Sequence, residues 1–218
     1  MKKRISLLLC CLLLVGCFVG SASAKSAKVK VGQSVFLGHY EQDNNLSNGE
    51  ERIEWIVLGV EDHYALVISK YCLDAAQFNS VQCAVTWETS ELREWLNDDF
   101  LYDAFTSEER KAIMYIENQT PDSVYGNKTG GNDTMDRVFC LSIDEANQYF
   151  ENNEARKASL TAYAATRTSF AWWWLRSPGG ETDAAKAIVD ANGQVGTGGN
   201  WVNNNDAVRP CLVVDLDA

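Results

Sequence analysis

The chain is poor in proline and histidine: its 218 residues include 3 Pro and 2 His. So little proline excludes Pro-rich linkers and collagen-like segments. Two histidines, His39 and His63, are too few for a multi-histidine metal centre, and both lie far in sequence from any cysteine. Cys-x-x-Cys is absent, which removes the usual spacing of zinc and dithiol sites. Basic residues are also in deficit, 19 Lys and Arg against 30 Asp and Glu, for a net charge of −11. Polyanions repel such a chain, so nucleic acid is not expected as a partner. Beyond residue 24 no apolar run approaches the roughly 20 residues needed to cross a bilayer. What the chain does have is material for a core, with 46% hydrophobic and 11% aromatic residues. At about 150 residues per domain it is long enough for one domain or at most two.

The first 24 residues read as an export leader. Lys2, Lys3 and Arg4 precede an apolar run from Ile5 to Val19, and Ala22-Ser23-Ala24 offers a small-residue cleavage site. Leu14-Val15-Gly16-Cys17 also resembles a lipobox, which makes Cys17 the candidate lipidation residue and a lipid anchor the only expected membrane contact. Both readings place the mature protein outside the cytoplasmic membrane. Removing the three leader cations from the 19 basic residues leaves 16 against 30 acidic ones, a net −14. Of the seven cysteines, Cys72, Cys83, Cys140 and Cys211 then remain. Cys140 and Cys211 sit in apolar strand-like contexts and are expected as buried free thiols. Cys72 and Cys83 are the one pair considered for a disulfide.

From residue 25 to 218 no linker, repeat or composition break appears, and one α+β domain is expected. Alternation predicts a strand over 29–40, a hairpin is expected from strands over 53–60 and 64–69, and further strands are expected over 138–141, 172–176 and 208–216. The strands 29–40 and 208–216 are expected to lie close together. Ser90 or Thr89 caps a helix through Leu92, Trp95 and Leu96, and capping boxes open helices at Thr106 and Ser142. Ala155 to Arg167 reads as a further helix. Asn192-Gly193 marks a hairpin, and residues 118–136 and 196–206 read as polar loops.

Trp172-Trp173-Trp174 in a strand are expected as core on both faces, and Arg176 and Arg209 as structural cations. His39 and His63 read as surface residues, and Glu88, Glu91 and Glu94 select no catalytic pair. Asp43, Asn44, Asn45, Asp190 and Asn192 read as turn formers rather than calcium ligands. The sequons at Asn118, Asn127 and Asn132 mark exposed loops. The best recognition candidate is the loop 196–206, with Asn200, Trp201, Asn203, Asn204, Asn205 and Asp206 as ligand-binding residues. Trp201 supplies stacking area, the Asn amides donate and accept without the desolvation cost of a charge, and Asp206 adds one charged acceptor.

Glu54-Trp55-Ile56-Val57-Leu58, Thr86-Trp87-Glu88-Thr89-Ser90, Trp173-Trp174-Leu175-Arg176-Ser177-Pro178-Gly179 and Val208-Arg209-Pro210 occur in this order. As an ordered set they resemble an uncharacterised family of exported bacterial domains. The C-terminal half also resembles the C-type-lectin-like fold shared with formylglycine-generating enzymes. That resemblance implies a Trp-rich strand, a hairpin and a final Arg-containing strand around a ligand face. The enzyme branch uses a Cys pair unlike Cys140 and Cys211, and the lectin signatures Glu-Pro-Asn and Trp-Asn-Asp are absent. The expectation is therefore a non-enzymatic, exported or surface-held binding module for glycan or protein, with no cofactor and no metal. An enzyme acting on wall or glycan material and a structural or adhesive surface protein are the alternatives.

Overall fold

The computed structural model describes residues 29–123 and 125–218. The leader, the lipobox and Cys17 lie outside the described residues. Strands β1 (Ser34–Tyr40), β2 (Glu51–Glu61) and β3 (Tyr64–Ser69) form an antiparallel meander, followed by the short β4 (Asp74–Ala76). Three short helices come next: α1 (Glu91–Asn97), α2 (Asp99–Ala104) and α3 (Glu109–Ala112). A two-stranded ribbon, β5 (Ile116–Asn118) with β6 (Thr134–Asp136), closes the loop expected over 118–136. Then follow β7 (Val138–Phe139), α4 (Ile143–Tyr149), α5 (Asn153–Arg156), β8 (Trp173–Pro178), β9 (Ala185–Val189), β10 (Val195–Trp201), β11 (Asp206–Val208) and β12 (Cys211–Asp215).

The strands make two five-stranded sheets, ordered β1-β2-β3-β12-β7 and β10-β9-β8-β11-β4. Pairing is antiparallel except for β8 beside β11, which meet at Ala207 and Trp173. The first and last strands therefore share one sheet, as expected. The expected strand 208–216 is instead two strands in different sheets, divided at Arg209-Pro210. Pro210 has no N–H for a ladder, so the chain leaves one sheet there and enters the other. Arg209 fills the crossing. Its Nε donates to the Ser69 carbonyl at 3.0 Å and a terminal nitrogen donates to the Arg156 carbonyl at 3.0 Å, between the rings of Phe150 and Trp173.

Local signals explain the elements that sequence located. In β2, Ile53, Trp55 and Val57 alternate inward and are fully buried. Ser90 Oγ accepts from the Arg93 N–H and α1 buries Leu92 and Leu96. Ser142 and Glu145 exchange both bonds of a capping box, and the same Glu145 carboxylate pairs with Arg176, tying α4 to β8. Gly38 sits at φ +72° in a β1 bulge, where an added Cβ would lie 2.6 Å from the Ala104 carbonyl and the Phe105 ring.

Three expectations are corrected. Residues 155–167 are mostly not helical: α5 ends at Arg156, and Leu160 forms a bridge with Cys72 before a single 3-10 turn at Ala164–Thr166. Tertiary contact there overrides the propensity of an Ala-rich run. Residues 196–206 are not one loop, because 195–201 form β10 against β9. Its glycines are tolerated because β10 is an edge strand that needs only one partner. Asn118 is buried and donates to Asp136, so its sequon does not mark an exposed loop, whereas Asn127 and Asn132 are exposed.

Trp173, Trp174 and Leu175 are fully buried, so both faces of β8 are covered as expected. Cys72, Cys140 and Cys211 are buried free thiols and Cys83 is exposed and free, so the pair Cys72 and Cys83 forms no bridge. Burial pushes the Cys72 and Cys140 thiols up to about 12 and the Cys211 thiol well above its ordinary value, which leaves them protonated and inert. Among the described residues no helix is long and apolar enough to cross a membrane.

Candidate functional site

The parallel contact of β8 with β11 builds the site. Ala207 N–H donates to the Trp172 carbonyl at 2.7 Å, which sets Trp172 beside Asp206. The antiparallel contact of β11 with β4 pairs Val208 with Asp74 and brings Asp74 to the same edge. The 3-10 turn Ala164–Thr166 ends on Arg167 and leads into Thr168, Ser169 and Phe170. Between this segment and residues 200–206 lies a cavity of about 520 Å³.

The turn after β10 is held from below. Val202 is fully buried; its N–H donates to the Ala184 carbonyl at 3.0 Å and its own carbonyl accepts from Asn79 at 2.9 Å. The side chains above it form a directed chain. Asn204 Nδ2 donates to Asn200 Oδ1 at 2.8 Å, and Asn200 Nδ2 donates to an Asp206 oxygen at 2.7 Å. The other Asp206 oxygen has no hydrogen-bond partner among the described residues. Burial is the main reason the Asp206 carboxyl is pushed up to about 6, with the Asn200 bond pulling the other way. The aromatic wall is Phe170 and Trp172, whose ring centroids are 5.4 Å apart at 39°. Phe170 is 58% exposed.

The cation of the site is already engaged. Arg167 meets an Asp74 oxygen at 3.0 Å, donates to Tyr163 Oη at 2.5 Å and covers the Tyr163 ring at 3.9 Å. Asp74 in turn accepts from Tyr40 Oη at 2.5 Å. Burial first, then the Asp74 charge and bond, drive the Tyr40 phenol above its normal range.

Of the six residues expected to bind ligand, Asn200, Asn204, Asn205 and Asp206 line this cavity. Trp201 and Asn203 do not. Trp201 ends β10 and is 43% exposed beside the cavity, while the Asn203 carbonyl accepts from Gln77 Nε2 at 2.6 Å. Sequence reasoning missed Arg167 and Phe170, because Thr166-Arg167-Thr168-Ser169-Phe170 was assigned partly to a helix. The aromatic beside three small polar residues was the available signal.

The remaining candidates do other work. Arg176 holds Glu145 and the Cys140 and Gln119 carbonyls. His63 stacks on Tyr64 at 4.0 Å and lies 4.0 Å from Asp215. Asp43 caps the Asn45 N–H, and Asp190 caps those of Asn192 and Gln194, as turn chemistry requires. Glu41, Asp43 and Glu51 bring carboxylate oxygens within 4.8 Å of one another, and these carboxylates accept from the backbone N–H groups of Gln42, Asp43 and Asn45.

One domain family, described as a domain of unknown function (DUF6273), matches residues 62–216. The match begins in the β2–β3 turn, so β1 and β2 lie outside it although they complete the first sheet. No curated protein and no solved structure matches the chain.

Proposed function

The chain belongs to the DUF6273 family, and from that premise we propose that it is an exported, non-enzymatic module that binds a glycan in the cavity between 165–172 and 200–206. One observation carries the reading: exposed Phe170 and half-buried Trp172 line one cavity with a chain of amides that ends on a buried carboxylate with one side-chain donor. Aromatic faces take the C–H side of a sugar ring, and amides and carboxylates take its hydroxyls. Hydroxyl donors suit Asp206 because they satisfy a desolvated acceptor without adding charge. A free phosphate suits the site less well, since the nearby guanidinium is spent on Asp74 and Tyr163.

The non-enzymatic part rests on the composition of the wall. Asp206 is its one carboxylate, and no histidine is among the lining residues. Paired-carboxylate chemistry requires a second convergent acid. Export rests on the leader of residues 1–24, with a lipid anchor at Cys17 or free secretion as its two forms. The proposed fold relationship is to C-type-lectin-like domains, supported by a Trp-rich strand, the β9–β10 hairpin and an Arg-containing final segment near one ligand face.

The test is a glycan array followed by calorimetry on wild type and Phe170→Ala. Phe170 is exposed, so the variant keeps its fold. It is expected to lose at least about 2 kcal/mol of binding, roughly thirtyfold in affinity. Wild-type affinity in Phe170→Ala, or binding to peptides instead of glycans, overturns the assignment.

A further inference from the structure

A second cavity, of about 370 Å³, opens beside α4 and shares no residue with the first. Its floor is apolar. Leu66 and Val213 are direct cross-strand partners on β3 and β12, and Phe139 of β7 and Ile116 of β5 extend the surface they form. Its rim is acidic: Glu117, Asp144 and Glu145 line the cavity together with a single cation, Arg176.

That cation is not available to a ligand. Arg176 is 3% exposed, and its guanidinium is bonded to both oxygens of Glu145, the Cys140 carbonyl at 2.9 Å and the Gln119 carbonyl at 3.3 Å. Glu145 is matched by Arg176, so Glu117 and Asp144, both exposed, carry the unbalanced charge of the rim. Tyr149 lines the same cavity. Burial, and after it the Glu145 charge, pushes its phenol up to about 12. Its hydroxyl has no hydrogen-bond partner among the described residues.

We propose that this cavity binds a lysine side chain presented by a partner polypeptide, with the alkyl stem on Leu66, Phe139 and Val213 and the ammonium at Glu117 and Asp144. The argument is complementarity at both ends of one side chain. A four-carbon stem gains by leaving water for the apolar floor, while a compact ammonium stays at a hydrated anionic rim. Anionic groups are repelled by the rim. Arginine is disfavoured because its planar head profits from an aromatic face, and the Phe139 ring already has the Arg176 guanidinium 5.8 Å from its centroid.

The experiment uses Nα-acetyl-lysine methylamide as the probe and Nα-acetyl-norleucine methylamide as its uncharged counterpart, titrated into the exported protein and followed by NMR. The lysine compound is expected to shift the resonances of Leu66, Val213 and Tyr149, to bind more tightly than the norleucine compound, and to weaken as salt rises. The double variant Glu117→Gln with Asp144→Asn alters two exposed residues and leaves the fold intact. It is expected to lower lysine affinity about five- to tenfold, the scale of two exposed charge pairs. Equal binding of the two compounds, no binding of either, or an unchanged affinity in the double variant overturns the proposal. Phe170→Ala is expected to leave lysine binding untouched, so failure of the glycan reading and failure of this one are distinguishable.

Discussion

Two buried aspartates, Asp136 and Asp206, show how the same side chain is saturated by the fold in one region and left short of donors beside a cavity in another. Asp136 is fully buried at the end of β6. One of its oxygens accepts from Trp87 Nε1 at 2.9 Å, Asn118 Nδ2 at 2.9 Å and Thr134 Oγ1 at 2.6 Å. The other accepts from Arg93 Nε at 2.6 Å. Four donors from α1, the segment before it and the β5–β6 ribbon leave this carboxylate nothing to offer a ligand. Asp206 is 3% exposed but has one side-chain donor, Asn200, and borders a cavity. A buried acceptor that is saturated by the fold fixes elements in place; one left short of donors is stabilised when a ligand supplies them.

The largest effect is expected at the saturated acid. Asp136→Ala strands the Arg93 guanidinium and the Trp87, Asn118 and Thr134 donors. Urea unfolding should show a loss of about 3–5 kcal/mol, the range for breaking a buried charge pair. A loss below about 1 kcal/mol would mean that the hub is slack and the contrast with Asp206 is false.

A smaller effect, opposite in direction, is expected at Asp206. Its folded-state pKa of about 6 lies above the ordinary 3.8. Between these values the folded state holds a proton that the unfolded state has lost, so stability falls as pH rises from about 4 to 6 and the cost is complete above that window. Asp206→Asn keeps an acceptor for Asn200 and removes the ionisation. Urea midpoints measured from pH 4 to 7 should therefore fall less steeply in the variant, with a gain of about 1–3 kcal/mol at pH 7. Parallel profiles for the two proteins would show that Asp206 is solvated.

The smallest effect is expected at Trp201. It lies outside the cavity wall and is 43% exposed. Trp201→Ala should change stability by about 0.5 kcal/mol or less and glycan affinity far less than Phe170→Ala. A loss of binding equal to that of Phe170→Ala would move the ligand face onto β10.

Much of the fold was legible because its signals are local. Ser90 and Ser142 named two helix starts, Asn192-Gly193 named a hairpin, and the apolar runs 53–60 and 64–69 either side of Glu61-Asp62-His63 named the central strands. The failures share one cause. The Gly-rich stretch 196–199 looks like a loop until β9 offers it a ladder, and 155–167 looks helical until Cys72 and Gln42 take its backbone groups. Asn200, Asn204, Asn205 and Asp206, which line the cavity, stood out in the sequence because amides beside an aromatic are unusual together. Phe170 and Arg167 did not, since the helix expected over 155–167 took in Arg167 and masked the signal of an aromatic beside small polar residues.

Sequence by itself determined the charge balance, the basic-apolar-small pattern of residues 1–24, the caps and turns, and the identity of the core-forming strands. These depend on residues within a few positions of each other, or on totals. Tertiary structure alone decided that Arg209-Pro210 divides one apolar run between two sheets, that Asp136 is saturated while Asp206 is not, and that Phe170 faces Asn200 across a cavity. Each of these depends on groups that lie far apart along the chain and come together only when β11 docks between β8 and β4. No local pattern encodes which distant donors a buried acceptor will meet, and that count separates Asp136, held by four donors, from Asp206, held by one beside a cavity.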